Sequence, residues 1–261
     1  MNGASEGVVV ERLRKVFRQR GSDELVTAID GLDFTVEPGE MISIVGRTGC
    51  GKSTFLAILL GLEAPSGGRV LVDGKTPYGD FNYFKGKVAC VFQQDRLLPW
   101  RSALENVKLA LEVLGYPERE QETRAREWLD RLGLSDFLRA YPHELSGGMR
   151  QRVAMARAFV VSPRLLLADE AFGHLDEVTA ANLRQEFSLL ARTTGSTTVS
   201  VTHQLEEAFE LGGRVLVFGR PATLLADIRW DGASREDFAP LRRRIQAIID
   251  RNEFLDAAPA L

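Results

Sequence analysis

The chain has 261 residues, enough for one substantial hydrophobic core and too few to require two domains. Charged residues make up 26% of it, yet the net charge is only −3, so no basic field invites nucleic acid. Two cysteines exclude a disulfide framework and fit a reducing compartment, and every apolar run is shorter than the roughly 18 residues that span a bilayer.

The opening residues lack the basic-then-apolar layout of a secretory signal, which predicts a cytoplasmic globular protein that meets a membrane only through a partner. Short strands are expected over residues 8–13, 25–29 and 32–36, broken by Gly21-Ser22-Asp23 and Glu37-Pro38-Gly39. Residues 41–45 read as a buried strand, residues 53–60 as a helix, and residues 69–72 as a strand closed by Asp73-Gly74. After a strand over 88–92 the period changes. Leu104, Val107, Leu111 and Leu114 recur at helical spacing until Gly115-Tyr116-Pro117, and a second helix covers 119–132. Strands and helices then alternate over 165–168, 178–190, 197–201, 204–211 and 215–218. This pattern predicts an α/β core with a mostly parallel sheet, a small antiparallel β-subdomain, and a helical insertion at about residues 95–150. The main domain is expected over 1–220 and a tail over 221–261. In the tail Phe238, Leu241, Ile245, Ile248 and Ile249 form an apolar stripe with Arg242, Arg243 and Arg244 largely opposite. Such a helix either lies on a membrane or partner, or docks on its own domain with a solvated basic face.

Two glycine-rich helix starts carry the chemistry. Gly46-Arg47-Thr48-Gly49-Cys50-Gly51-Lys52-Ser53-Thr54 fits the phosphate-binding loop G-x-x-x-x-G-K-[ST], with a strand before it and a helix after it. Backbone N–H groups would cradle phosphates, Lys52 would reach the β/γ oxygens, the Ser53 hydroxyl suits Mg²⁺, and Thr54 is placed for the α-phosphate. Cys50, beside Lys52 and a helix N-terminus, is expected to be a reactive thiol that a ligand bound in the loop would shield, and Cys90 a buried, slow one. Leu145-Ser146-Gly147-Gly148-Met149-Arg150-Gln151-Arg152 again puts small residues at a helix N-terminus, where an anion is favoured. One nucleotide needs one cradle, so the second suggests a nucleotide held by another copy of the chain. Between them in role, Leu165-Leu166-Leu167-Ala168-Asp169-Glu170 delivers two carboxylates at a strand end. Two adjacent acids beside a triphosphate make sense only with a metal present.

This set resembles the ATP-binding subunits of ABC transporters, over roughly residues 8–220. The segment Val91-Phe92-Gln93-Gln94-Asp95-Arg96-Leu97-Leu98-Pro99-Trp100 is similar to that of the nitrate, sulfonate and taurine importer branch. The resemblance implies ATP and Mg²⁺ as cofactors, Asp169 and Gln93 toward Mg²⁺, Glu170 as catalytic base, and His203 as the switch histidine on the γ-phosphate. It also implies adenine stacking by Phe17, with packing in the β-subdomain as the other reading of that residue. Ser146, Gly147 and Gly148 would contact a partner subunit's ATP in a head-to-tail homodimer, with Asp176 crossing that interface. The implied partners are a transmembrane permease and, indirectly, an extracytoplasmic solute-binding protein, which places the chain at the cytoplasmic face of the plasma membrane. Three positions depart from the family pattern: Ala171 follows the catalytic Glu where Pro is usual, His174 stands where a small residue is usual, and Gln204 replaces a frequent Asp. Other ATPase heads of this kind serve exporters, DNA repair or translation. Here neither heptads, cysteine clusters nor a second head is present to point that way.

Overall fold

The computed structural model describes residues 7–19, 21–229 and 238–256. Residues 1–6, considered above for a signal layout, lie outside them. In chain order the elements are β1 (Val8–Arg18), β2 (Leu25–Val36), β3 (Met41–Val45), α1 (Lys52–Leu59), β4 (Gly67–Val72), α2 (Phe81–Phe84) and β5 (Val88–Phe92). They continue as α3 (Ala103–Val113), α4 (Glu118–Arg131), α5 (Gly147–Phe159), β6 (Leu165–Asp169), α6 (Glu177–Thr194), β7 (Thr197–Thr202), α7 (Leu205–Leu211), β8 (Arg214–Phe218), β9 (Leu224–Arg229) and α8 (Phe238–Asp256). They form two compact units, residues 1–82 with 199–261, and residues 83–198.

In the first unit β1 pairs antiparallel with both β2 and β4. The expected short strands prove to be two long ones. The ladder survives the Gly31 interruption because the register steps there: Leu13 lies opposite Leu32 and Arg14 opposite Asp30, which leaves Gly31 unpaired between them. β3 pairs parallel with β8, and β8 antiparallel with β9. All five residues of both β3 and β8 are buried, which is why the two strands are mostly apolar without alternation, Ser43 and Arg214 being their polar residues. The single polar residue of β3, Ser43, is satisfied by the Ser200 hydroxyl at 2.7 Å.

The tail helix α8 docks on its own unit. Ile245 is fully buried among Leu205, Phe209, Val215, Val217 and Ile228, while Phe238, Leu241, Ile248 and Ile249 pack against that cluster. The Phe238 ring stacks on Phe209 at 5.1 Å, and Arg242 pairs with Glu206 at 2.7 Å. Of the two readings of this helix, docking on its own domain is the one this packing fits, because the apolar stripe is already covered by β8, β9 and α7.

In the second unit β5 and β6 pair in parallel, and helices α3 to α5 lie between them in sequence, as the change of period predicts. Ser102 and Glu105 form a capping box that starts α3, and Leu104, Val107 and Leu111 are its buried face. Rings of Trp128, Phe159, Phe187 and Phe172, each 5.3–5.7 Å from the next, tie α4, α5 and α6 together.

Candidate nucleotide site

In the first unit β3 delivers the chain to the phosphate loop and α1 leaves it. Gly51 caps α1 at φ 111°, and a Cβ there would lie 2.4 Å from the Ala28 carbonyl oxygen, so only glycine closes this loop. Lys52 is the first residue of α1, and its ammonium is turned into the loop. It donates to the carbonyls of Gly46 at 2.6 Å and Arg47 at 3.0 Å, and it stands 3.8 Å from Cys50 Sγ. These bonds fix the position of a buried charge within the loop. Ser53 is exposed and Thr54 half-buried.

Cys50 is buried to 1% exposure, its sulfur beneath the loop and against Lys52. The reactive thiol expected from its sequence neighbours is thus corrected, because a side chain that points inward offers no approach to a reagent. Cys90 is half-buried rather than fully buried, and burial, with the nearby Asp169 carboxylate adding to it, pushes its thiol up to about 12.

A cleft of about 1090 Å³ opens beside the loop. Gly46, Arg47 and Thr48 line it on one side, with His203, and Gln246 and Asp250 of α8 on the other. His203 is exposed at the end of β7, where the Thr202 hydroxyl accepts from the Gln204 N–H at 3.0 Å and donates to the buried Glu207 carboxylate at 2.6 Å. Gln204 therefore serves this turn through its backbone, whatever its side chain. Phe17 is not among the residues lining that cleft. It lies half-buried in β1, opposite Val26, with the Lys15 ammonium 4.7 Å from its ring.

In the second unit Asp169 ends β6, half-buried, and Glu170 follows it in a left-handed backbone conformation, φ 47°. A non-glycine residue in that region is strained and persists only where its surroundings over-determine it. The Gly173 N–H donates to the Glu170 carbonyl at 3.2 Å and closes the turn, and the buried Ala171 occupies the place after the glutamate. A Cβ on Gly173 would sit 3.9 Å from Gln93 Nε2, so the exposed Gln93 amide lies beside this turn. The segment after Gln93 is pinned to α5 by Arg150, 3.0 Å from Asp95, and by Arg157, which donates to the Asp95 and Arg96 carbonyls. Leu97 is buried, Pro99 and Trp100 are exposed, and the fully buried Asn106 holds the intervening backbone by four hydrogen bonds, to Leu98 N–H and to the carbonyls of Leu98, Arg101 and Ser102.

Ser146 is the N-cap of α5, its hydroxyl accepting from the Met149 N–H at 3.3 Å. Ser146, Gly147 and Gly148 line a second cleft of about 500 Å³ together with Arg152, the exposed His174 and Asp176. Asp176 also caps α6 by accepting from the Thr179 N–H at 3.0 Å, and that bond holds its carboxyl below the usual carboxylate range. Sequence reasoning missed Asn106, Arg157 and Gln151. The last had a usable signal: it is a polar residue in the stripe of α5 that includes the buried Ala154, Met155 and Ala158.

The ABC transporter family profile matches residues 29–173. The taurine import ATP-binding protein TauB of Rhizobium johnstonii is 38% identical over 250 residues, covering 89% of this chain and 93% of that protein. The aliphatic sulfonates import ATP-binding protein SsuB 2 of Agrobacterium fabrum is 42% identical over 189 residues, 72% of this chain and 69% of that protein. Among solved structures, a dimeric ATP-binding cassette in a post-hydrolysis state with ADP and Pi superposes with a TM-score of 0.75 at 32% identity, covering 86% of this chain and 99% of that one. With a phosphate loop, a strand-end acid pair and a second glycine-rich helix start on one polypeptide, and relatives matched over most of their length, the chain belongs to the ABC transporter family of ATPases.

Proposed function

We propose that the chain is the ATP-hydrolysing subunit of a bacterial importer for a small solute of the taurine, sulfonate or nitrate kind. The observation that carries this reading is the second cleft, built on the N-terminus of α5 and distinct from the phosphate loop. A self-sufficient nucleotide hydrolase has no use for it. A head-to-tail pair of cassettes does, because each copy's Ser146, Gly147 and Gly148 would then close on the γ-phosphate of its partner's ATP. The similarity to an import ATP-binding protein for taurine and another for aliphatic sulfonates supports the solute class.

In this reading the phosphate-loop N–H groups and Lys52 bind the triphosphate. The Glu170 carboxylate takes a proton from a water whose oxygen attacks the γ-phosphorus. The bond from that phosphorus to the β–γ bridging oxygen breaks, and ADP and phosphate leave. His203 and Gln93 orient the γ-phosphate and the attacking water. Ser53 and Asp169, with Gln93, offer hydroxyl, carboxylate and amide oxygens, a hard donor set that suits Mg²⁺. When bound, the ion neutralises charge on the β- and γ-phosphates. The exposed Pro99-Trp100 end of the segment pinned to α5 is the proposed docking point for a permease, and it would place the chain on the cytoplasmic face of the membrane. No helix among the described residues is long and apolar enough to cross a membrane itself.

The test is Glu170→Gln. Hydrolysis should fall on the order of 10²–10⁴-fold while MgATP still binds, and size-exclusion chromatography should show a dimer only when ATP is present. A fully active, strictly monomeric variant would remove both the base assignment and the composite site.

A further inference from the structure

Gln151 has no part in the reading above, yet it sits where the catalytic groups are rooted. It is fully buried on α5, one helical turn after the signature glycines. Its amide nitrogen donates to the Phe92 carbonyl at 3.2 Å and to the Ala171 carbonyl at 2.7 Å. Phe92 directly precedes Gln93, and Ala171 directly follows Glu170. Both partners are acceptors, so the amide orientation is forced: turning it over would set oxygen against oxygen. Its own Oε1 then finds no hydrogen-bond donor among the described residues. A buried acceptor left this way weighs against stability, so the side chain's contribution lies in the two bonds it donates.

We infer that Gln151 is a positioning residue. It clamps the strained turn bearing Glu170 to the root of the Gln93 loop and ties both to the helix whose N-terminus carries Ser146, Gly147 and Gly148. Glu170 at φ 47° needs such over-determination, and the Ala171 carbonyl is the nearest backbone group beyond it that a side chain holds. A shift of α5 when its N-terminus meets a phosphate is thereby passed to Glu170 and Gln93 through one amide. The idea rests on Glu170 acting as the base.

The test uses the full-length protein and a double-mutant cycle. Gln151→Met keeps the volume and removes both donated bonds. Its kcat should fall at least about ten-fold, while KM for ATP stays within about two-fold, because a misplaced catalytic group costs rate rather than binding. In a Glu170→Gln background the same substitution should cost clearly less than in wild type, since one of the two groups it positions is already gone and only Gln93 remains to be misplaced. Residual turnover is followed with radiolabelled ATP. A merely structural Gln151 would lower both backgrounds by the same factor, whatever the loss of folded protein. That result, or a Gln151→Met enzyme within about two-fold of wild-type kcat, overturns the inference. If Gln151→Met does not accumulate, Gln151→Leu is carried through the same cycle and judged by the same factor. Glu170→Gln alone as active as wild type would overturn the base assignment instead, and the positioning role with it.

Discussion

At the scale of single residues, what a side chain can do here is set by where its neighbours turn it. Cys50 lies between two glycines and next to Lys52, a setting that by composition alone favours a thiolate. In the folded loop its sulfur faces inward at 1% exposure, and Cys90, the other thiol, is pushed up to about 12 by burial. Burial leaves Cys50 little surface for a reagent, and the raised thiol of Cys90 leaves it little thiolate near neutral pH. Alkylation at pH 7–8 should therefore be slow with or without MgATP, and Cys50→Ala should lose activity no faster than wild type. Rapid inactivation that MgATP prevents, and that Cys50→Ala escapes, would show that the loop opens enough to present the sulfur. For Cys90 the sign is that of a raised thiol: its alkylation rate should climb with pH toward about 12. Lys52 shows the opposite case, since the phosphate-loop pattern assigns it to phosphate, and the fold holds its charge ready on the carbonyls of Gly46 and Arg47.

At the scale of elements, α5 does the most. Its N-terminus carries the signature residues, Arg150 and Arg157 hold the segment after Gln93, and at its far end Phe159 stacks on Trp128 and meets Phe187 edge-on. The signature glycines also have a packing reason that the sequence does not reveal. A Cβ on Gly148 would lie 2.8 Å from Thr179 Cγ2 of α6, closer than real contacts allow. Gly148→Ala should thus cost about 1–3 kcal/mol of stability by overpacking. Adding Thr179→Ser removes that methyl and should restore the melting temperature. ATPase activity should stay low in the double variant if Gly148 must also admit a phosphate. If activity returns with stability, packing alone explains the glycine.

At the scale of the whole molecule, the two units carry separate parts of one proposed reaction, and in that proposal the second cleft is completed by another copy of the chain. Specific activity should consequently rise with protein concentration, and the rate should depend on MgATP with a Hill coefficient approaching about 2. Ligand linkage gives a second readout. MgATP at about 100 times its Kd should stabilise wild type by roughly 2.7 kcal/mol, and Lys52→Ala should remove most of that gain. An unchanged gain in Lys52→Ala would mean that the loop does not hold the phosphates.

Much of this was legible in the linear chain. The phosphate loop, the strand-end acids and the signature helix are local patterns, because each needs its residues at fixed offsets on one turn or one strand end. The α/β alternation and the helical insertion followed from hydrophobic period alone. What tertiary structure decided was every matter of orientation. It turned Cys50 inward, laid the apolar stripe of α8 on β8 and α7 instead of a membrane, and set Glu170 in a left-handed turn. It also brought Gln151 to two carbonyls some 59 and 20 residues away. The physical reason is that periodicity records which residues avoid water, whereas the partner each one meets depends on long-range contacts that leave no regular spacing in the sequence.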